Sequence, residues 1–284
     1  MTWPIARPLP SFTCAVQLRK GREDLPALFI FPGLGGTVDA LTELSRSMDT
    51  PVKVYAFQSL GIDGETRPNP KIEDMAEHYL VEVVRLQPEG PYFLCGHSLG
   101  GLVAFEIATR LRAAGAEIGA LILLDSPIDQ AFWPWSYFLF VLWLRLRHHL
   151  SVIISLSPGK AAAYVVRRSR MLVNVVLARL RLAKPMIAAE RKLPPALQAV
   201  WDQEVVAGSN YCPGFYPGKM IFLAADTPGW APLDPDVFWR ARVEELEVHL
   251  VPGGHRTMLD QPHVAGVALT LNDCLRPLLR PVSN

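Results

Sequence analysis

Pro91-Tyr92-Phe93-Leu94-Cys95-Gly96-His97-Ser98-Leu99-Gly100-Gly101 carries an apolar segment through a glycine-flanked serine into a helical pattern that continues to Ala114. The apolar part reads as a buried strand, so Ser98 sits on a sharp strand-to-helix turn. Such a turn has no room for side chains beside the serine, which is what Gly96 and Gly100 provide, and it makes the hydroxyl project from the sheet edge. The helix that opens there directs its positive end and its free N–H groups at any oxygen reacting with that hydroxyl. Ser98 is therefore read as a nucleophile.

Outward from this turn the chain alternates. Residues 27–31, 52–57, 91–95, 120–124, 219–223 and 246–251 are short, mostly apolar runs bounded by Gly, Pro or Asp, as expected of buried strands. Helical patterns cover Ile72 to Leu86, Leu99 to Ala114 and Pro262 to Leu279. The alternation predicts an α/β fold with a mostly parallel sheet covered by helices on both faces. One segment, 127–200, breaks it with long apolar and basic helical patterns and is read as a helical insertion into a single domain over 1–284, with core 1–126 and 201–284. Within it, Arg167, Arg170, Asn174, Ala178 and Arg181 fall on one side of a helix and Val166, Val173, Val176, Leu177 and Leu180 on the other.

Composition limits the function classes. Of 284 residues, 50% are hydrophobic and 19% charged, which supports a large core and excludes a disordered chain. A net charge of +1 gives no whole-chain case for nucleic-acid binding. Cys14, Cys95, Cys212 and Cys274 are scattered, without the paired spacing of a zinc site or the density of a disulfide scaffold, and are read as reduced and structural, with no metal expected. Met1-Thr2-Trp3-Pro4 shows no basic region followed by an apolar core, so a cytoplasmic location is expected. The longest apolar stretch, Phe132 to Leu144, holds Pro134 and is followed by Arg145, Arg147, His148 and His149; its thirteen residues fall short of the roughly 20 that cross a bilayer.

A serine hydroxyl needs a histidine base, itself oriented by a carboxylate. Seven histidines compete. His78, His97, His148, His149, His249 and His263 lie in helices, the turn itself, the insertion or a strand, whereas His255 lies in the loop Pro252-Gly253-Gly254-His255 after the last strand. From there an imidazole reaches back over the carboxyl edge of the sheet. For the acid, Asp125 and Asp226 each end a strand, and either satisfies the order Ser, Asp, His. The other of the two is expected to cap a helix or bind turn amides. An oxyanion hole needs two backbone N–H groups. Leu99 supplies one, and the glycine-rich end of the first strong strand, Phe31-Pro32-Gly33-Leu34-Gly35-Gly36, supplies the other from Leu34 or Gly33.

Phe31 to Gly36, Tyr55-Ala56-Phe57-Gln58, Ile72-Glu73-Asp74-Met75-Ala76, Glu89-Gly90-Pro91-Tyr92, Gly96 to Gly101, Phe105-Glu106-Ile107-Ala108, Leu123-Leu124-Asp125-Ser126 and Gly253-Gly254-His255-Arg256-Thr257-Met258-Leu259 together closely resemble thioesterase domains of nonribosomal peptide and polyketide synthases. Phe31 and Leu99 depart from that pattern, where many relatives have His and an aromatic, but neither contributes a side-chain atom to the reaction. The resemblance implies an α/β-hydrolase fold with the insertion as a variable lid. It also implies release of an acyl chain from the phosphopantetheine arm of a carrier protein, with no cofactor of the enzyme's own. It points to Asp125 as the triad acid, since separate proofreading thioesterases place theirs a strand later, where Asp226 stands.

The insertion has its own chemistry. Phe132, Trp133, Trp135, Tyr137, Phe138, Phe140 and Trp143 crowd one end and suggest either packing on the core or an acyl tunnel. Residues 127–200 hold eleven Lys or Arg but only Asp129 and Glu190 as acids, a local charge of +9 against −8 for the remainder. That asymmetry suits an acidic carrier protein acting in trans, the expectation also from Met1 and the short segment before the core. An anionic membrane surface is the less favoured partner. The expected function is therefore a serine thioesterase with Ser98, His255 and Asp125 as its triad. The alternatives are a lipase or carboxylesterase acting on oxygen esters, and a noncatalytic protein on the same fold.

Overall fold

The computed structural model describes residues 13–180, 193–227 and 234–280; within the insertion it leaves out the side chains of 167, 170–172, 174, 175 and 178. Arg181, expected on the polar side of the insertion helix, lies outside the described residues. Among the described residues seven strands form one sheet: β1 (Ala15–Arg19), β2 (Leu28–Phe31), β3 (Val54–Phe57), β4 (Tyr92–His97), β5 (Ile118–Leu124), β6 (Tyr216–Ala225) and β7 (Val243–Val251). Their spatial order is β1-β3-β2-β4-β5-β6-β7, and all neighbours are parallel except β1, which pairs antiparallel with β3. Six strands fall where the apolar runs predict them. The edge strand β1 was not expected: it is short, and Gln17 and Arg19 interrupt its apolar residues.

The helices are α1 (Asp39–Ser47), α2 (Ile72–Leu86), α3 (Leu99–Ala113), α4 (Trp135–Ser155), α5 (Pro158–Arg179), α6 (Pro195–Asn210), α7 (Pro235–Trp239) and α8 (Val264–Leu275). Period-two alternation sends neighbouring strand residues to opposite faces. Phe29 and Phe31 enter one core with Phe57, Tyr79 and Phe105 beneath α2 and α3, while Leu28 and Ile30 enter the other with Val54, Phe93, Ile122 and Leu271 beneath α1 and α8. Both faces of β2 are buried, which is why its sequence is a continuous apolar run. Each fully buried Phe or Leu contributes about 1.5–3 kcal/mol.

The chain runs outward from β2 to β3, then crosses back to β4 on the other side of β2 and continues to β7. Loops after β2 and β4 therefore part at the carboxyl edge, leaving the crevice where sheets of this kind bind ligands.

Between β5 and β6 the chain forms α4, α5 and α6. The last of these straddles residue 200, the expected end of the insertion. The limit set on α4 by the apolar stretch is corrected by the structure: the helix continues through Arg145, Arg147, His148 and His149, and its 21 residues are long and apolar enough to cross a membrane by length and composition. Mid-helix Arg and His side chains leave the backbone ladder intact, so they do not end a helix as Pro or Gly would. The apolar side predicted for α5 also differs from a core-facing stripe, because Val166, Val173, Val176 and Leu180 are exposed.

Candidate active site

Strand register aligns the candidate residues. His97 pairs with Leu124, Leu124 with Leu223, and Ala225 with Val251. Ser98, Asp125 and Asp226 are thus each the first residue past their strand, tied to the neighbour by Ser98 N–H to Leu124 O at 3.0 Å, Asp125 N–H to Leu223 O at 2.9 Å and Asp226 N–H to Val251 O at 2.8 Å. Ser98 turns with φ 53° and Asp125 with φ 44°, both in the left-handed region. The turn at Ser98 is tight: a Cβ on Gly96 would lie 2.1 Å from Gly100 O, and one on Gly100 would lie 2.2 Å from Phe31 O.

Ser98 Oγ lies 3.1 Å from His255 Nε2, and His255 Nδ1 lies 2.7 Å from Asp125 Oδ2. A carboxylate accepts, so Nδ1 carries the hydrogen and Nε2 faces Ser98 as an acceptor. The Asp125 side chain is buried, and its Oδ1 accepts from Ala225 N–H at 3.2 Å, which fixes the carboxylate plane. Asp226 does not reach His255. Its Oδ1 accepts from Gly253 N–H at 3.1 Å, bracing the loop that carries His255. The geometry therefore separates two aspartates that spacing alone leaves equivalent.

His97 packs behind His255, the two rings 5.6 Å apart, and its Nε2–H donates to His255 O at 3.2 Å. Burial, with the His255 charge second, pushes the His97 imidazole down to about 4, so it is neutral near pH 7. His149 Nδ1 meets Tyr164 OH at 2.7 Å, and His249 Nε2 meets Glu247 Oε1 at 2.5 Å.

Ser98 opens into a cavity of about 310 Å³, bordered by Leu34, Leu99, Leu102, Ile128, Trp133 and Gly208. Of the seven aromatics at the start of the insertion, Trp133 alone borders it. Trp133 and Phe138 are buried, whereas Trp135, Phe140 and Trp143 face solvent. Arg145 reaches the cavity wall from α4, where burial lowers its guanidinium to about 10, and burial raises the carboxyl of neighbouring Asp129. A larger cavity of about 550 Å³, bordered by Arg112, Lys219 and His249, lies at the opposite end of the strands, away from the serine.

Glu204 was missed by sequence reasoning. This α6 residue is 1% exposed, accepts from Gly35 N–H at 2.7 Å and Ser59 Oγ–H at 2.6 Å, and so ties α6 to the glycine loop after β2. Burial raises its carboxyl to about 7, against the pull of both hydrogen bonds. Only its place in an apolar helix, 169 residues from Gly35, could have marked it.

All four cysteines are free. Cys14 lies with His78 and Glu82 in a donor cluster outside the Ser98 cavity, its ligand atoms within 4.8 Å of one another. The Glu82 carboxylate there accepts from Cys14 N–H at 2.7 Å and Ala15 N–H at 2.9 Å, bracing β1 on α2.

Residues 26–136 match the sequence profile of the thioesterase domain family. The chain is 27% identical over 278 residues to the inactive atromentin synthetase invA6 of Paxillus involutus, covering 92% of this chain and 28% of that protein. It is 35% identical over 123 residues to enterobactin synthase component F of Escherichia coli strain K12, covering 43% of this chain and 9% of that protein. The chain thus spans less than a third of the length of these curated relatives. Among solved structures, the Vlm2 thioesterase domain superimposes with a TM-score of 0.57 at 25% identity, over 92% of this chain and 96% of that one. By sequence and by fold, the chain is similar to the thioesterase domains of nonribosomal peptide and polyketide synthases, and its residues 26–136 match the thioesterase domain family.

Proposed function

We propose that the protein is a serine thioesterase that releases an acyl, peptidyl or polyketide chain from the phosphopantetheine arm of a carrier protein, through an acyl-Ser98 intermediate. The observation that carries this reading is the hydrogen-bonded line from Ser98 through His255 to Asp125 at the mouth of a mostly apolar cavity. His255 takes the Ser98 proton as Oγ attacks the thioester carbonyl, and Asp125 stabilises the resulting imidazolium. The developing oxyanion accepts from the N–H groups of Leu34 and Leu99. Collapse breaks the C–S bond, and the His255 proton passes to the departing pantetheine sulfur. Water, or a hydroxyl or amine of the chain, then gives its proton to His255 and attacks the acyl ester, regenerating Ser98.

The partner is an acidic carrier protein, matched to the basic insertion, and the enzyme needs no cofactor of its own. Intact-mass measurement after adding acyl groups loaded on a separate carrier tests this. An adduct of acyl mass is expected on the wild type and not on Ser98→Ala. Turnover of matched acyl-pantetheine and oxygen-ester substrates decides the bond: a higher kcat/KM for oxygen esters would make the protein a carboxylesterase.

A further inference from the structure

The insertion turns a long apolar surface to solvent. Along α4, Trp135, Leu139, Trp143, Leu146, Leu150 and Ile154 recur at spacings of three and four, so they share one face, and they are 44–84% exposed. The line extends about 28 Å at 1.5 Å per residue. The other side of the helix puts Phe138 and Val141 in the core. Soluble monomers seldom expose a contiguous apolar strip of this size without a partner for it.

Charge indicates which partner. Asp129 and Glu190 bracket sixty residues that contain nine Arg or Lys and no acid. Arg147 sits beside the apolar line, its guanidinium 5.1 Å from the centre of the Trp143 ring. A second copy of the chain would bring two basic, acid-free segments together, where like charges repel. The acidic carrier protein proposed above matches the charge, but a charge match alone does not cover the apolar line. An anionic lipid surface matches both, because acyl chains accept the leucines, headgroup phosphates accept arginine, and tryptophan favours the boundary between them.

We propose that α4 lies in the plane of an anionic lipid surface, with its Trp135–Ile154 line immersed and its Phe138–Val141 side holding the fold above it. The helix lies on the bilayer and does not cross it, since its inner side is packed into the core and Arg145 points to the Ser98 cavity. A docked α4 therefore sets one wall of that cavity beside the lipid.

The test is co-sedimentation of the full chain with vesicles of phosphatidylcholine alone or mixed with phosphatidylglycerol. Binding to the anionic vesicles is expected to be tighter by about tenfold or more. Combining Leu139→Asp, Leu146→Asp and Leu150→Asp should weaken it by at least about tenfold, with unchanged turnover of a short acyl-pantetheine in vesicle-free buffer. If that variant does not fold, Arg147→Glu carries the test and should remove most of the anionic preference. Failure of the wild type to sediment with anionic vesicles overturns the proposal, as does equal binding to both vesicle types. A dimer in light scattering that the triple variant dissolves, without vesicle binding, would assign the face to a second copy. Selective loss of turnover on carrier-bound substrate, again without vesicle binding, would assign it to the carrier.

Discussion

Glu204→Gln isolates the cost of a buried carboxylate beside the glycine loop. In the unfolded chain this carboxyl titrates near its ordinary 4.5, and in the fold burial moves it to about 7. The native state therefore holds the proton more tightly than the unfolded state, and stability falls as pH rises between those values. The shift amounts to about 3 kcal/mol of stability, fully present below pH 4.5 and lost in full above pH 7. Glutamine keeps both contacts: its amide oxygen accepts from Gly35 N–H, and its NH₂ donates to Ser59 Oγ, whose own hydrogen then turns to Tyr79 OH, 3.2 Å away. The variant should match the wild type at pH 4.5 and exceed it by up to about 3 kcal/mol at pH 8, or about 5 °C in Tm for a chain of this size. Urea unfolding at a series of pH values measures the difference between the two proteins and cancels every other titrating group. A variant less stable than the wild type at pH 8, or a difference that does not change with pH, would refute the reasoning.

Other expectations concern the reaction. Ser98→Ala and His255→Ala should each remove nearly all turnover while the fold persists, because the triad works as a unit; robust turnover by folded Ser98→Ala protein ends the assignment. Asp125→Asn should lower kcat by about 10⁴ through loss of the imidazole tautomer that Nδ1 now holds. Asp226→Asn loosens only the brace on Gly253 and should cost far less; the reverse order in steady-state kinetics would make Asp226 the acid. Gly100→Ala drives a Cβ to 2.2 Å from Phe31 O and should destabilise the fold by at least about 1–3 kcal/mol in urea titration.

Much of the fold is legible because its signals are local. Four-residue β2 is apolar throughout since both faces are covered, and the turn around Ser98 states its own geometry in Gly96 and Gly100. Strand β1 escapes the same reading because its five residues lie at an edge and are mostly half-buried. Asp125 and Asp226 occupy equivalent positions one strand apart, so spacing cannot separate them. What does is where the loop after β7 folds back, a tertiary matter fixed partly by Asp226 itself. Glu204 was hidden for a related reason, since its partners come from the other end of the chain. The length of α4 was obscured by reading its arginines as an end, when they project from a helix that continues for two further turns.

Ser98 and Asp125 are the non-glycine residues, among those described, whose backbones lie in the left-handed region. An L side chain there costs about 1–2 kcal/mol that glycine does not incur. Two of the three residues proposed to carry the reaction therefore sit where the backbone favours glycine. Activity and durability pull in opposite directions at the tips of β4 and β5, and decay of the chemistry runs downhill in folding energy. Glycine at 98 would relieve that cost, whereas glycine at 125 would also leave Ala225 N–H and His255 Nδ1–H without their acceptor. Glycine at 98 in an otherwise intact relative would mark a protein that keeps this turn and has given up its nucleophile.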